Sequence, residues 1–284
     1  MDKLKLNNGM EIPAIGIGTY RIKSKDAEPA VEEALKLGYR LVDTANVYQN
    51  EVAVGKGIKN SGVPREEIFL TSKIWPQDFK KRKVKKAIKK TLKRLDTDYV
   101  DLILLHQEAG DYVSAWQGLE KEVKKGTVKA IGVSNFSEKA LKKILKKGTI
   151  KPVVAQNEAH PYYQKDATAK LLKKEGIVLE AWYPLGSGDK KLLNEKVFQK
   201  LAKKYGKSTA QIILRWHTQV GHVIIPGSKT PAHIADNLDI FDFELTEDEL
   251  KKIAKLNKNK KYMKIPKLFK KFFALSRINF DKQK

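Results

Sequence analysis

Eight short apolar, β-branched runs recur along this chain, and a stretch with helical periodicity follows each of them. The runs lie near 14–19, 40–43, 68–73, 100–105, 128–133, 153–157, 177–182 and 222–225. The helical stretches lie near 27–37, 51–60, 80–95, 112–125, 137–147, 164–175, 208–219 and 231–237. Strands that are apolar on both faces are covered on both faces. A repeat of roughly 25–30 residues is the size of one strand–helix unit, and eight such units predict an α/β fold of the TIM-barrel kind, (β/α)8.

Leu4 to Ile12 reads as a hairpin around Asn8-Gly9, placed to close the bottom of the barrel. Two extra helices are expected, near 194–205 and near 246–256. The second opens at Thr246, with Glu249 three residues on as a capping box. No linker or shift in composition divides the chain, so 1–284 reads as one domain. The tail, 262–284, is basic and aromatic; it either crosses the barrel mouth as a lid or packs plainly on the surface.

Composition excludes several functions. No run of about 18 apolar residues occurs, so no membrane span is expected. The start lacks a secretory core, which points to the cytoplasm. Without cysteine there is no disulfide, thiolate metal site or cysteine nucleophile. The net charge of +24 invites a polyanion-binding reading. Yet in the stretch 80–95 Val84, Ile88, Leu92 and Leu95 share one helix face and the lysines fill the other, as on a solvated surface. No specific nucleic-acid partner is therefore expected.

Some motifs mislead. Gly16-Ile17-Gly18 lacks the third glycine of a dinucleotide fingerprint and reads as tight packing. Gly206-Lys207-Ser208 ends like a phosphate loop, but Leu201 stands where the first glycine belongs; Gly206 ends one helix and Ser208 caps the next. His160, His217, His222 and His233 lack metal-ligand spacing, so no metal is expected.

Asp43, Lys73 and His106 stand at the C-terminal ends of three consecutive strands, and Tyr48 lies on the loop after the first. In a parallel barrel those ends meet at one mouth, where such folds do chemistry. A phenol with a pKa of about 10 is a poor acid near neutrality. A neighbouring ammonium would lower that value, and a carboxylate would keep the ammonium charged in a dry site. His106 could hydrogen-bond a substrate oxygen. Each residue alone has a structural reading, as a cap, a surface charge or a core histidine. Together at matching strand ends the four point to proton delivery.

With these residues stand Gly38-Tyr39-Arg40-Leu41-Val42-Asp43-Thr44-Ala45, Thr71-Ser72-Lys73-Ile74-Trp75, Ile131-Gly132-Val133-Ser134-Asn135-Phe136, Val154-Ala155-Gln156-Asn157-Glu158 and Ala181-Trp182-Tyr183-Pro184-Leu185. In these motifs the chain resembles the aldo-keto reductase family over about residues 4 to 260, and within it the prokaryotic diketogluconate reductases. The resemblance implies reduction of small aldehydes, ketones or α-dicarbonyls by NADPH, in a monomer without a Rossmann fold or a metal. It gives Asp43, Tyr48, Lys73 and His106 the catalytic places, with Tyr48 as proton donor. Ser134, Asn135 and Gln156 match residues that hold the nicotinamide carboxamide, and Trp182 matches the aromatic under the ring. Leu185 and Ser187 match the loop over the pyrophosphate. Ser228, Lys229, His233 and Asn237 match the adenosine-phosphate site, and Tyr20, Val47 and Trp75 the substrate pocket.

Three departures stand out. Gly227 replaces a common lysine, His233 an arginine that contacts the 2′-phosphate, and Gln107-Glu108 a Trp-Pro pair. Arginine's fork is the better phosphate clamp, so NADH stands as the alternative cofactor. The alternative functions are a cofactor-binding sensor or accessory protein on the same fold, and a polyanion-binding protein.

Overall fold

The structure, a computed structural model, describes residues 2–283. A hairpin, β1 (Lys3–Lys5) and β2 (Glu11–Pro13), pairs Leu4 with Ile12 across the Asn8-Gly9 turn. Eight parallel strands follow: β3 (Ile17–Gly18), β4 (Leu41–Asp43), β5 (Phe69–Ile74), β6 (Val100–Leu105), β7 (Val128–Ser134), β8 (Val154–Glu158), β9 (Val178–Trp182) and β10 (His222–Ile224). They pair in sequence order. The ring closes where Gly16 N donates to Ile224 O at 2.9 Å and Ile224 N donates to Ala14 O at 2.9 Å. The first strand is shorter than its apolar run, and its two glycines sit where backbones approach closely. A Cβ on Gly16 would lie 2.3 Å from Leu41 Cγ, and one on Gly18 would lie 2.6 Å from Ile225 O. That packing accounts for the G-x-G pattern.

The barrel helices are α1 (Ser24–Lys36), α2 (Glu51–Asn60), α3 (Lys81–Leu95), α4 (Tyr112–Val123), α5 (Glu138–Lys147) and α6 (Asp166–Glu175). They continue through a short α7 (Lys190–Leu193), α8 (Lys196–Tyr205), α9 (Thr209–Gln219), α10 (Pro231–Leu238), α11 (Glu247–Ala254) and a tail helix, α12 (Lys267–Phe273). α1 begins three residues before its expected start, which puts Pro29 inside the helix. Ser208 and Thr246 both make full capping boxes, with Gln211 and Glu249. α3 buries Val84, Ala87, Ile88, Thr91 and Leu95 and turns its lysines outward. The two extra helices, α8 and α11, pack with α9 through Phe198, Leu201, Ile213, Trp216 and Ile253.

Two apolar layers set the height of the site. One fills the space between sheet and helices. The other plugs the barrel floor, where Leu6 and Ile12 of the hairpin meet Leu41, Leu104, Val154 and Val223. Side chains two apart on a strand share a face. Directly above Leu41, Leu104 and Val154 therefore stand Asp43, His106 and Gln156.

Behind the mouth, His217 on α9 and His222 on β10 bring their Nδ1 atoms to 3.1 Å, and His217 Nε2 lies 3.3 Å from Pro184 O. Burial pushes His217 well below its ordinary range and His222 down to about 4. Below about pH 6.5 the unfolded chain binds protons that the folded pair refuses, so stability falls as the pH drops toward 4. His222 should account for up to about 3 kcal/mol of that loss. Urea melts at pH 7 and pH 4.5 should show His222→Asn losing distinctly less than the wild type; equal losses would clear the pair.

Candidate active site

A row of polar side chains crosses the barrel interior just above its apolar plug. Ser134, Gln156 and Glu180 are neighbours in register on β7, β8 and β9. From the far wall, Asp43 and Lys73 project off β4 and β5. Lys73 and Asp43 are 0% and 1% exposed, and Lys73 Nζ donates to Asp43 Oδ1 at 2.5 Å and to Thr44 O at 2.8 Å. Gln156 Nε2 donates to Asp43 Oδ2 at 2.8 Å and to Glu180 Oε2 at 2.9 Å. Burial pushes Asp43 upward, opposed by Lys73 and Gln156; burial and the Asp43 charge push Glu180 up to about 8.

Tyr48 ends the 3-10 turn Asn46–Tyr48, and its ring centroid lies 4.8 Å from Lys73 Nζ. The expectation of a lowered phenol pKa is corrected here. Burial first, and then the Asp43 charge, push the phenol well above its ordinary value. The reason is geometric: the ammonium is engaged by Asp43 and the Thr44 carbonyl. Tyr48 thus keeps its proton through neutral pH, the form from which an acid donates. His106 meets Tyr48 edge-on at 5.5 Å and Trp75 at 5.2 Å. Burial and then Lys73 hold its imidazole well below the usual range, so it is neutral, and its buried Nδ1 finds no partner among the described residues.

These groups floor a cleft of about 720 Å³ lined by Asn135, Gln156, Trp182, Tyr20, Val47 and Trp75 among others. Asn135 takes a left-handed backbone, φ 60°, a conformation asparagine tolerates. Its Nδ2 then donates to Ser134 Oγ at 3.0 Å and His106 O at 3.2 Å, and its Oδ1 accepts from Trp182 Nε1 at 3.0 Å. Leu185, Ser187 and Asn237 line the cleft further out. Gly227 also lines it, and a Cβ there would meet Gly18 O at 2.8 Å. Beyond it a second hollow of about 440 Å³ gathers Arg21, Lys23, Lys25, Ser228 and Lys229, and shares Tyr20, Arg21 and Gly227 with the cleft. His233 is exposed on the first turn of α10 and lines neither space. Lys73 and Ser134 lie beneath the cleft surface.

The tail runs over this mouth. Tyr262 N donates to Glu158 Oε1 at 2.5 Å, Trp75 Nε1 donates to Ser276 Oγ at 3.0 Å, and Arg94 Nη1 donates to Asp281 Oδ1 at 2.7 Å. Met263, Ile265 and Phe273 complete the cleft, with the Phe273 ring tilted 48° against Trp75 at 4.8 Å. Sequence reasoning did not place these three, nor Arg21 and Glu180. The signal for Glu180 was present, as an acid in the middle of an otherwise apolar strand.

The aldo/keto reductase family model matches residues 14–258. The chain belongs to that family. It is 41% identical to the methylglyoxal reductase DkgA of Escherichia coli over 261 residues, 91% of this chain and 94% of that one. It is 45% identical to the glyoxal reductase of Bacillus subtilis over 262 residues, 92% and 94% of the two chains. A Bombyx mori aldo-keto reductase solved in complex with NADP superposes with a TM-score of 0.90 at 33% identity, over 93% of this chain and 95% of that one. Like its family, this reductase is an oxidoreductase acting on carbonyl groups.

The buried pair generates a stability prediction. Asp43→Ala strands the Lys73 ammonium in the barrel, and should cost about 3–5 kcal/mol in urea unfolding. A loss below about 1 kcal/mol would mean the charge is relieved elsewhere.

Proposed function

We propose that this reductase converts small α-dicarbonyls, and related aldehydes and ketones, to alcohols with NADPH. One observation carries the reading: a proton-bearing phenol, a neutral imidazole and an aromatic wall face one cleft. The names of the bacterial relatives, methylglyoxal reductase and glyoxal reductase, support the substrate class.

NADPH, when bound, supplies the hydride. The residues suit it: Asn135 and Gln156 line the cleft with amides for a carboxamide, Ser134 Oγ lies behind them bonded to both, and Trp182 offers a flat face held by Asn135. The cations of the outer hollow, Arg21, Lys23, Lys25 and Lys229, the last bonded to Asp26 at 3.4 Å, favour the additional 2′-phosphate of NADPH over NADH despite His233. Leu185, Ser187 and Asn237 border the path between the two ends.

His106 hydrogen-bonds the carbonyl oxygen and sets it against Tyr48. Tyr48 gives that oxygen its proton, and Asp43 with Lys73 holds the phenol's surroundings rigid and dry. A neutral His106 cannot serve as the acid, which leaves the phenol to do so. Tyr20, Val47 and Trp75, roofed by Phe273, form a slot for a small substrate, and the tail acts as its lid. We also read the reductase as a cytoplasmic monomer; no described helix is long and apolar enough to cross a membrane.

Tyr48→Phe should lower kcat for methylglyoxal by about 10²–10⁴-fold. Its Kd for NADPH, read by quenching of tryptophan fluorescence, should stay within about twofold. Turnover retained in the variant would remove Tyr48 from the acid role.

A further inference from the structure

Glu180 takes no part in the proton delivery described above, yet it sits 0% exposed in the middle of β9, inside the barrel. Its Oε2 accepts one hydrogen bond, from Gln156 Nε2 at 2.9 Å, and its buried Oε1 has no partner among the described residues. Asp43 is better served, by Lys73 at 2.5 Å and Gln156 at 2.8 Å. An unpartnered buried oxygen costs far more on an ionised carboxylate than on a neutral acid. With one ammonium facing two carboxyls, the low-energy arrangement is a charged Asp43–Lys73 pair beside a neutral Glu180.

The consequence falls on Gln156. Both hydrogens of its amide nitrogen go to the two carboxyls, so its Oε1 is the atom left for Ser134, at 3.4 Å, and for the cleft. An amide flips to suit its neighbours, and two acceptors on one side decide the orientation.

We propose that Glu180 is a positioning residue of the reductase site, a neutral acid behind Gln156 that turns the amide oxygen toward the cleft where a cofactor carboxamide is held. The inference rests on the NADPH-dependent reading above. The titratable groups facing Glu180 are Asp43 from β4, Lys73 from β5 and Tyr48 from the loop after β4. Burial and then Asp43 push its carboxyl up to about 8. Above that pH a second buried anion appears beside Asp43, and the amide is pulled from its setting. The folded state holds the Glu180 proton over a range where the unfolded chain has lost it, so this group makes stability fall as pH rises from about 4.5 to 8.

The full chain is compared with Glu180→Gln and Glu180→Leu. NADPH Kd is measured by fluorescence quenching from pH 6 to 9.5, and thermal midpoints are measured over the same range without cofactor. The wild-type Kd should weaken about tenfold across pH 8–9, and the Gln variant, which mimics the neutral acid, should stay flat. The Leu variant frees an amide hydrogen and should bind about tenfold more weakly at pH 7; if it fails to fold, the Gln variant decides. The wild-type midpoint should fall relative to the Gln variant by about 5 °C between pH 6 and 9. An alkaline weakening shared by Glu180→Gln, or weak binding by that variant already at pH 7, would overturn the proposal. So would midpoints that run parallel. A wild type that binds no NADPH would defeat the reductase reading instead, while the midpoints still judge Glu180.

Discussion

An ammonium and a carboxylate buried together at the centre of a closed sheet are the constraint on which the rest of this reductase depends. Removing two such charges from water costs several kcal/mol each, and attraction repays that only with good geometry and satisfied neighbours. Here Lys73 bonds Asp43 and the Thr44 carbonyl, and Gln156 reaches Asp43 from the opposite wall. Those partners come from β4, β5, β8 and the loop after β4. A closed parallel barrel brings all of them to one point, whereas an open sheet would keep β4 and β8 apart.

The pair can be dry because of what lies below and above it. The hairpin residues Leu6 and Ile12 plug the floor, and the tail's Phe273 against Trp75 narrows the mouth. In that setting Tyr48 keeps its proton and His106 refuses one. Under the proposed function the two rings, 5.5 Å apart, would divide the work, one as acid and the other as a neutral hydrogen-bonding group. Carbonyl reduction needs that division, because the oxygen must be oriented before it is protonated.

Much of this was legible in the chain. The eight-fold alternation announced the barrel, since strand and helix periods differ and each unit is short. Asp43, Lys73 and His106 stood out as polar endings to apolar runs, and the structure brings them together. What stayed hidden depends on distance across the fold. The pairing of Asp43 with Lys73 was expected, but nothing local in sequence says how deeply Tyr48 is buried, so the sign of the phenol shift could not be read. Glu180 stood out as an acid in an apolar strand, but its partner Gln156 emerged only when β8 and β9 came into register. His233 matched a phosphate-site position by spacing, yet it does not line the hollow that Arg21 and Lys229 line. The tail's path rests on side-chain bonds such as Trp75 to Ser276, which carry no local pattern.

If NADPH held in this cleft supplies the hydride, Trp182 would cover one face of its ring and leave transfer stereospecific. NADPH carrying deuterium on a single face of that ring carbon tests it directly, with methylglyoxal as acceptor and mass spectrometry of the alcohol as readout. Label should reach the former carbonyl carbon from one labelled epimer and be absent with the other. Unlabelled product from both epimers, or equal labelling from both, would contradict the account.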